Sequence, residues 1–357
     1  MTEIFKKLGI SAQPLVLAPL AGVSDHPFRR VCARLGADLT YVEMLSSTAL
    51  LRDSRRTLQM MERHPSENRL GVQITGNSAE EISQAIAKLD TYNFDTIDIN
   101  MGCPVRKVVG TGCGSALMRD PKLVYEIVRQ SRAATKKPLS VKTRIGWDHQ
   151  SINALELGDA IEKGGADWMT LHGRTRSDDY QMPVNLELMR QLREKLNIPL
   201  IGNGNIFKPE DADYMFAKTQ VDGLMISRGA LGNPWIFMQI KDRNFLAPTL
   251  DDWFAVVKLH LEWQREAYGD SSMGALCMRK HLLWYTKGWL GSKKIREQMN
   301  TLNSLDDIQN LLEKFVEDLA KQGISQRDTL ATEADNKRFL WDPKWDMHRE
   351  HDRGVGE

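Results

Sequence analysis

The chain has 357 residues, of which 41% are hydrophobic and 27% charged. That length and balance suit one large soluble domain plus a smaller one, and exclude a disordered, collagen-like or disulfide-stapled chain. Lysine plus arginine (48) nearly matches aspartate plus glutamate (47), for a net charge of +1, so a polyanionic partner would need a local basic patch.

Taken in order, short apolar runs that end in polar or glycine-containing loops recur at 14–21, 39–44, 70–75, 96–101, 138–144, 166–172, 198–203 and 221–227. Helix-like segments separate them, including 78–90, 121–135, 152–163, 185–196 and 209–218. Eight strands alternating with eight helices predict an α/β fold, a (β/α)8 TIM barrel. A doubly wound open sheet is disfavoured because no GxGxxG follows the first strand. The early run PLVLAPLAGV is short and carries two prolines, so neither a signal peptide nor a membrane span is expected. Cys32, Cys103, Cys113 and Cys277 show no CxxC spacing. No metal site or disulfide framework is therefore expected, and the usage suits a reducing, cytoplasmic setting.

Strand parity sharpens the barrel reading, since alternate side chains point to opposite faces. In 70–75, Gln73 and Thr75 oppose Val72 and Ile74; in 96–101, Asp98 and Asn100 oppose Ile97, Ile99 and Met101. Ser140, Lys142 and Arg144 share one face of the next run, and Thr170 and His172 one face of the run after. If the apolar faces meet the helices, the polar ones line the barrel interior and its C-terminal mouth, where barrel enzymes carry their sites. Beyond 240 the strand signals stop. Helical periodicity from 250 to about 322 predicts a small bundle of three or four helices, joined through 245–249. The expected domains are 1–244 for the barrel, 245–322 for the helical part, and 323–357 for a charged, aperiodic tail in which Phe339, Trp341 and Trp345 offer docking points.

Single residues at the mouth have more than one reading. The last two barrel runs end in IGNGNIFKPED and MISRGALGNPW. Such loops either make tight turns or bind phosphate through backbone N–H groups, with Arg228 able to add a charged contact. Lys142 suits a Schiff-base lysine, a paired structural cation, or a cation set against an anionic cofactor. His172 suits a core histidine or a donor to the same cofactor. Cys103, in NMGCP, is either a buried small hydrophobe or a mouth thiol, which at neutral pH is mostly protonated and so serves as an acid as readily as a nucleophile.

The motifs LAPLAGVSDHPFRR, VQITGN, DINMGCPVRKV, SVKTRIGW, HGRTR, IGNGNI and GNPW, in this order, resemble the tRNA-dihydrouridine synthases. RKHLLWYTKG in the helical part is similar to the bacterial B-type branch. The resemblance implies an FMN-binding barrel with a C-terminal helical domain, NADPH (or NADH) as electron donor, and reduction of a D-loop uridine in tRNA. It implies flavin-ring contacts from Pro19, Leu20 and Ala21, contacts to the ring and its tail from Gln73, Lys142 and His172, and phosphate contacts from Asn203, Gly204, Asn205, Ser227 and Arg228. Asn100 and Arg144 become candidates for the uracil edge, and Arg176 and Tyr180 for further substrate contact. Hydride would pass from flavin N5 to C6, and Cys103 would protonate C5.

The chain departs from the family pattern at NGNI, where NGDI is commoner, at Ser227, where glycine often stands, and at SDDYQMPVN after HGRTR. A tRNA partner also needs positive charge. Residues 277–300 supply Arg279, Lys280, Lys287, Lys293, Lys294 and Arg296 against the single acid Glu297, interleaved with Trp284, Tyr285 and Trp289. Those aromatics also fit a plain bundle core, and a charge run also fits a solvated face. A monomer is expected. The rival readings are a dihydroorotate dehydrogenase-like FMN enzyme acting on a small pyrimidine, which has no use for a basic helical part, and a non-catalytic RNA-binding protein on the same fold.

Overall fold

The computed structural model describes residues 3–245 and 247–327. The remainder of the expected tail, with Phe339, Trp341 and Trp345, lies outside the described residues. Nine strands form one parallel sheet: β1 (Leu15–Leu17), β2 (Thr40–Tyr41), β3 (Leu45–Ser46), β4 (Leu70–Thr75), β5 (Thr96–Met101), β6 (Leu139–Arg144), β7 (Trp168–His172), β8 (Leu200–Asn203) and β9 (Gly223–Ile226). The order is β1-β9-β8-β7-β6-β5-β4-β2, with β3 also on β4. A bridge between Val16 and Leu39, with Leu17 N donating to Leu39 O at 2.9 Å, joins the first strand to the second and closes the ring. The expected barrel is the observed fold.

Its second stave comes in two pieces. Thr40 and Tyr41 pair with Leu70 and Gly71, whereas Leu45 and Ser46 pair with Ile74 and Thr75. Val42, Glu43 and Met44 thus face only Val72 and Gln73, and one extra residue on one strand is a bulge. The bulge brings Glu43 to the mouth, where its Oε2 accepts the Gly22 N–H at 2.6 Å. The expected single run over 39–44 is therefore interrupted.

Alternate strand residues feed two cores within the barrel. Outward residues Val72, Ile74, Ile97, Ile99, Val141 and Leu171 join one apolar cluster with helix residues such as Ile82, Ile127 and Leu192. Inward Val16, Tyr41, Trp168, Ile201 and Met225 pack with Phe5, from the short helix Glu3–Lys7, and with Leu8. The Phe5 ring meets Trp168 edge-on, with centroids 6.0 Å apart, so this N-terminal helix stoppers the lower end of the barrel. The polar interior residues are left at the other end.

Four helices follow the barrel, Leu250–Tyr268, Ser272–Tyr285, Ser292–Met299 and Leu305–Lys321. Gly269 and Gly291 take positive φ between the first three, and Ser304 caps the fourth by accepting from Asp307 N. Their core includes Trp253, Met278, Leu282, Tyr285, Trp289 and Leu312, together with Val31 of the barrel helix His26–Arg34. Residues 325–327 fold back: Ser325 O accepts from Leu250 N, and buried Arg327 donates to Gly232 O at 2.8 Å. No helix among the described residues is long and apolar enough to cross a membrane.

Candidate active site

A chain of hydrogen bonds across the barrel fixes the backbone of the Cys103 loop at its mouth. The Asp98 carboxylate accepts from Ser140 Oγ at 2.5 Å and from Gln73 Nε2 at 2.8 Å. A carboxylate only accepts, so the Gln73 amide must turn its nitrogen to Asp98 and its oxygen away. That oxygen accepts from Asn100 Nδ2 at 2.8 Å, which in turn aims Asn100 Oδ1 at the loop beyond the strand. There it accepts from Gly102 N at 3.1 Å and Cys103 N at 2.9 Å. Sequence parity placed Gln73, Asp98 and Asn100 on one face; their alternating donor and acceptor roles make that face a positioning device. Asp98 was not among the expected site residues, yet it sets the direction of the whole series. Burial pushes its carboxyl up to about 6, against Ser140, Gln73 and Lys142.

Burial likewise raises the Cys103 thiol above its ordinary range, with the Val105 N–H, Arg144 and Lys142 pulling it partly back. At neutral pH it is a protonated acid and a poor nucleophile. Arg144 holds the loop from the other side: its Nε donates to Gly102 O at 3.0 Å and its Nη1 to Thr175 O at 2.8 Å. It thereby ties the loop after β5 to the loop after β7.

The strand register sets Asn100 beside Lys142, and Arg144 beside His172 and then Asn203. Lys142 is half-buried, and burial and Arg144 draw its ammonium down to about 8, against Asp98 and Cys103. Among the described residues it has no hydrogen-bond partner. Burial, then Arg144, Lys142, Arg174 and Arg228, hold the His172 imidazole well below its usual range. A neutral imidazole ringed by four cations is a site built for an anion.

The last two barrel loops complete that site. His172, Tyr180, Asn203, Gly204, Asn205, Ser227 and Arg228 line one pocket. Gly204 has φ 122°, and a Cβ there would stand 2.6 Å from Val184 Cγ1; a Cβ on Gly229 would stand 2.0 Å from Ile206 O. Only glycine lets these loops approach so closely. Asn205 has φ 53°, which asparagine and aspartate both tolerate, and its Oδ1 accepts from Arg174 at 2.8 Å. Fully buried Arg174, absent from the expected site, also binds Tyr180 O and so anchors the loop after β7.

Other expected residues fall in different places. Tyr180 lies in this anion pocket, its ring 4.5 Å from the Arg228 guanidinium and 6.4 Å from the His172 ring. Arg176 stacks on Trp147 at 4.5 Å. Pro19, Leu20 and Ala21 follow β1 on a partly exposed turn at the mouth. The basic run of 277–300 is not one solvated face. Lys293 and Lys294 are exposed, but Lys287 is buried and Arg279 donates to Asn300 O and Leu302 O. Lys280 donates to Gly22 O in the barrel. Trp284, Tyr285 and Trp289 are buried core.

Residues 16–321 match the family model described as dihydrouridine synthase (Dus). The chain belongs to the dihydrouridine synthase family. Among its relatives, the tRNA-dihydrouridine synthase B of Pasteurella multocida (strain Pm70) is 35% identical over 84% of this chain and 92% of that protein. The tRNA-dihydrouridine synthase B of Pseudomonas putida (strain KT2440) is 38% identical over 81% of this chain and 87% of its own length. The solved structure of histamine dehydrogenase from Rhizobium sp. 4-9 matches with a TM-score of 0.50 and 11% identity, covering 70% of this chain and 48% of that one, a likeness of fold alone. The dihydrouridine synthase match takes in the barrel, the thiol loop, the anion pocket and all four later helices.

Proposed function

We infer that this chain is an FMN-dependent tRNA-dihydrouridine synthase, an oxidoreductase that adds two hydrogens across the C5–C6 double bond of a uridine in tRNA. The observation that carries the chemistry is Cys103, its backbone N–H held by Asn100, at a barrel mouth whose far side is an anion pocket. Family membership supports the tRNA substrate over the small-pyrimidine reading, which shares the barrel and the thiol but needs no helical partner. It also supports a D-loop uridine as the target and the division into a catalytic part over 1–244, a tRNA-facing part over 245–322 and a tail over 323–357.

The donor set fits FMN. Asn203, Gly204, Asn205, Ser227 and Arg228 would hold the phosphate, with the Tyr180 ring over Arg228 closing that pocket. Lys142, Gln73 and His172 would meet the ring system and its tail, and Pro19, Leu20 and Ala21 would border the ring. FMN, when bound, would supply the hydride for uracil C6, with NADPH or NADH proposed as its source. The chain's own task is then to bind uracil in one orientation and to give one proton at C5. Cys103 gives that proton, which quenches the charge developing at C5, and regains one from solvent. Asn100 has one Nδ2 hydrogen left after Gln73, and Arg144 has N–H groups left after Gly102 and Thr175; both are proposed to meet the uracil oxygens. Arg176 and Tyr180 are proposed to border the incoming nucleotide. A uridine reaches this mouth only when taken out of its stack. Lys293 and Lys294, exposed on one helix, are proposed to bind tRNA phosphates, joined at the helix end by Arg296. The working form is proposed to be a cytoplasmic monomer.

The test is nucleoside mass mapping of tRNA from cells lacking dihydrouridine after incubation with the purified chain, FMN and NADPH. A gain of two hydrogens on a D-loop uridine is expected. Turnover of a free pyrimidine with unchanged tRNA would transfer the reading to the small-molecule class.

A further inference from the structure

The turn after β1 is gripped from two sides. Within it, Leu20 N donates to Ser24 Oγ at 2.9 Å and Val23 N to Leu20 O at 3.0 Å. Gly22 sits at φ 67°, a conformation that favours glycine, and both of its backbone polar groups have charged partners. Its N–H goes to Glu43 from the bulged second stave, and its carbonyl accepts from Lys280 on the helix Ser272–Tyr285. The next residue on that helix, His281, is buried against the same turn, near the Val23 carbonyl. Asp25 closes the turn, accepting from Phe28 N at 3.2 Å and from Gln264 and Tyr268 of the helix Leu250–Tyr268 at 3.3 Å each.

Asp25, His260 and His281 also bring their possible ligand atoms within 4.8 Å of one another, the geometry in which a cation site would be sought. Two features speak against one. The Asp25 oxygens already accept three donors, and a cation, the Lys280 ammonium, already lies close enough to Asp25 and Glu43 to stabilise both carboxylates. Burial raises both carboxyls, and Lys280 pulls each partly back.

We propose that Lys280, with His281, is a positioning residue for the turn at 19–25, so that the helical part completes the flavin site instead of merely holding tRNA near it. The proposal rests on the reading of Pro19, Leu20 and Ala21 as bordering the flavin ring. It separates Lys280 from the other cations of the 277–300 run. One residue earlier, Arg279 turns to carbonyls inside the bundle, and thirteen residues later Lys293 faces solvent, whereas Lys280 reaches across to the barrel. Removing its ammonium frees the Gly22 carbonyl and leaves Asp25 and Glu43 facing each other half-buried, with their mutual repulsion no longer offset.

The experiment compares full-length Lys280→Met, which keeps the apolar stem, with Lys280→Arg and with the double substitution Lys293→Glu/Lys294→Glu. Three quantities are read: FMN affinity of the apo chain by fluorescence titration, the salt dependence of KM for tRNA, and amide hydrogen exchange over residues 20–24 without flavin. Lys280→Met is expected to weaken FMN binding roughly tenfold or more, the scale of one charge-assisted hydrogen bond. It should deprotect residues 20–24 and leave the salt slope unchanged, and Lys280→Arg should restore most of the affinity. The Lys293/Lys294 pair should raise KM and flatten the salt slope by about one for each tRNA phosphate no longer neutralised, with FMN affinity intact. Unchanged FMN affinity and exchange in Lys280→Met, with a flatter salt slope, would make Lys280 a tRNA-binding residue and overturn the proposal. If Lys280→Met fails to fold, the wild-type chain decides through exchange alone, where residues 20–24 exchanging as fast as an unfolded turn contradicts the clamp. A wild-type chain that binds no FMN defeats the cofactor reading, while exchange over 20–24 still tests the clamp.

Discussion

At the scale of single residues, the site works by making ordinary groups unambiguous. Gln73 and Asn100 are amides whose two ends differ by one atom, and Asp98, an acceptor only, decides which way both point. Lys142 is the residue whose charge is most open to measurement. Burial and Arg144 place it near 8 in the free chain, and an anionic cofactor beside it favours the charged form. By linkage, binding then favours the protonated lysine, so affinity holds below the free-chain value and falls above it. The FMN phosphate is already doubly ionised over that range, its second pKa lying near 6, and contributes no break of its own. A plot of FMN dissociation constant against pH should be flat from neutrality to about 8 and then rise by up to tenfold per unit, and Lys142→Met should remove the break. A flat profile in the wild type would mean that Lys142 does not face the cofactor.

At the scale of elements, much was legible and the misses have causes. Period-two alternation exposed which faces of β4, β5, β6 and β7 look inward, because those strands are long enough to show a period. The second stave was not readable: its bulge exists only relative to the register of β4, and no local pattern in 39–46 announces it. The N-terminal helix Glu3–Lys7 is five residues long, too short for a periodic signal, and its meaning comes from Phe5 reaching Trp168 across a sequence gap of more than 160 residues. Phe5 is 1% exposed, and its removal leaves a hole beneath the barrel floor. Phe5→Ala should therefore cost about 3–5 kcal/mol in a denaturant melt, yet leave FMN affinity and KM for tRNA unchanged, since the mouth lies at the opposite end. An equal loss of cofactor affinity would show that the floor and the mouth are mechanically coupled. The place of Tyr180 in the anion pocket depends on Arg174 drawing the loop inward, which no spacing within SDDYQMPVN reveals.

For the whole molecule, composition hid the partition that matters. A net charge of +1 over 357 residues gives no hint that Lys142, Arg144, Arg174 and Arg228 gather around His172 at the barrel mouth. The basic run after 277 looked like a single binding face because a sequence does not show which side of a helix is covered. In the folded chain its members divide among bundle carbonyls, the barrel turn and solvent. The outer barrel core and the core of the later helices meet through the helix His26–Arg34, which contributes Cys32 to the first and Val31 to the second. The turn at 19–25 thus sits between two packed bodies.

The central claim is that this architecture delivers one protonated thiol to uracil C5. The direct measurement is single-turnover oxidation of the NADPH-reduced chain by tRNA lacking dihydrouridine, comparing wild type with Cys103→Ala. Reduction by NADPH should proceed equally in both, while the tRNA-dependent step should slow on the order of 10²–10⁴-fold in the variant, the usual worth of a positioned general acid. A variant that reduces tRNA as fast as the wild type would show that Cys103 is not the proton donor, and would contradict the account of what Asp98, Gln73 and Asn100 are arranged to hold.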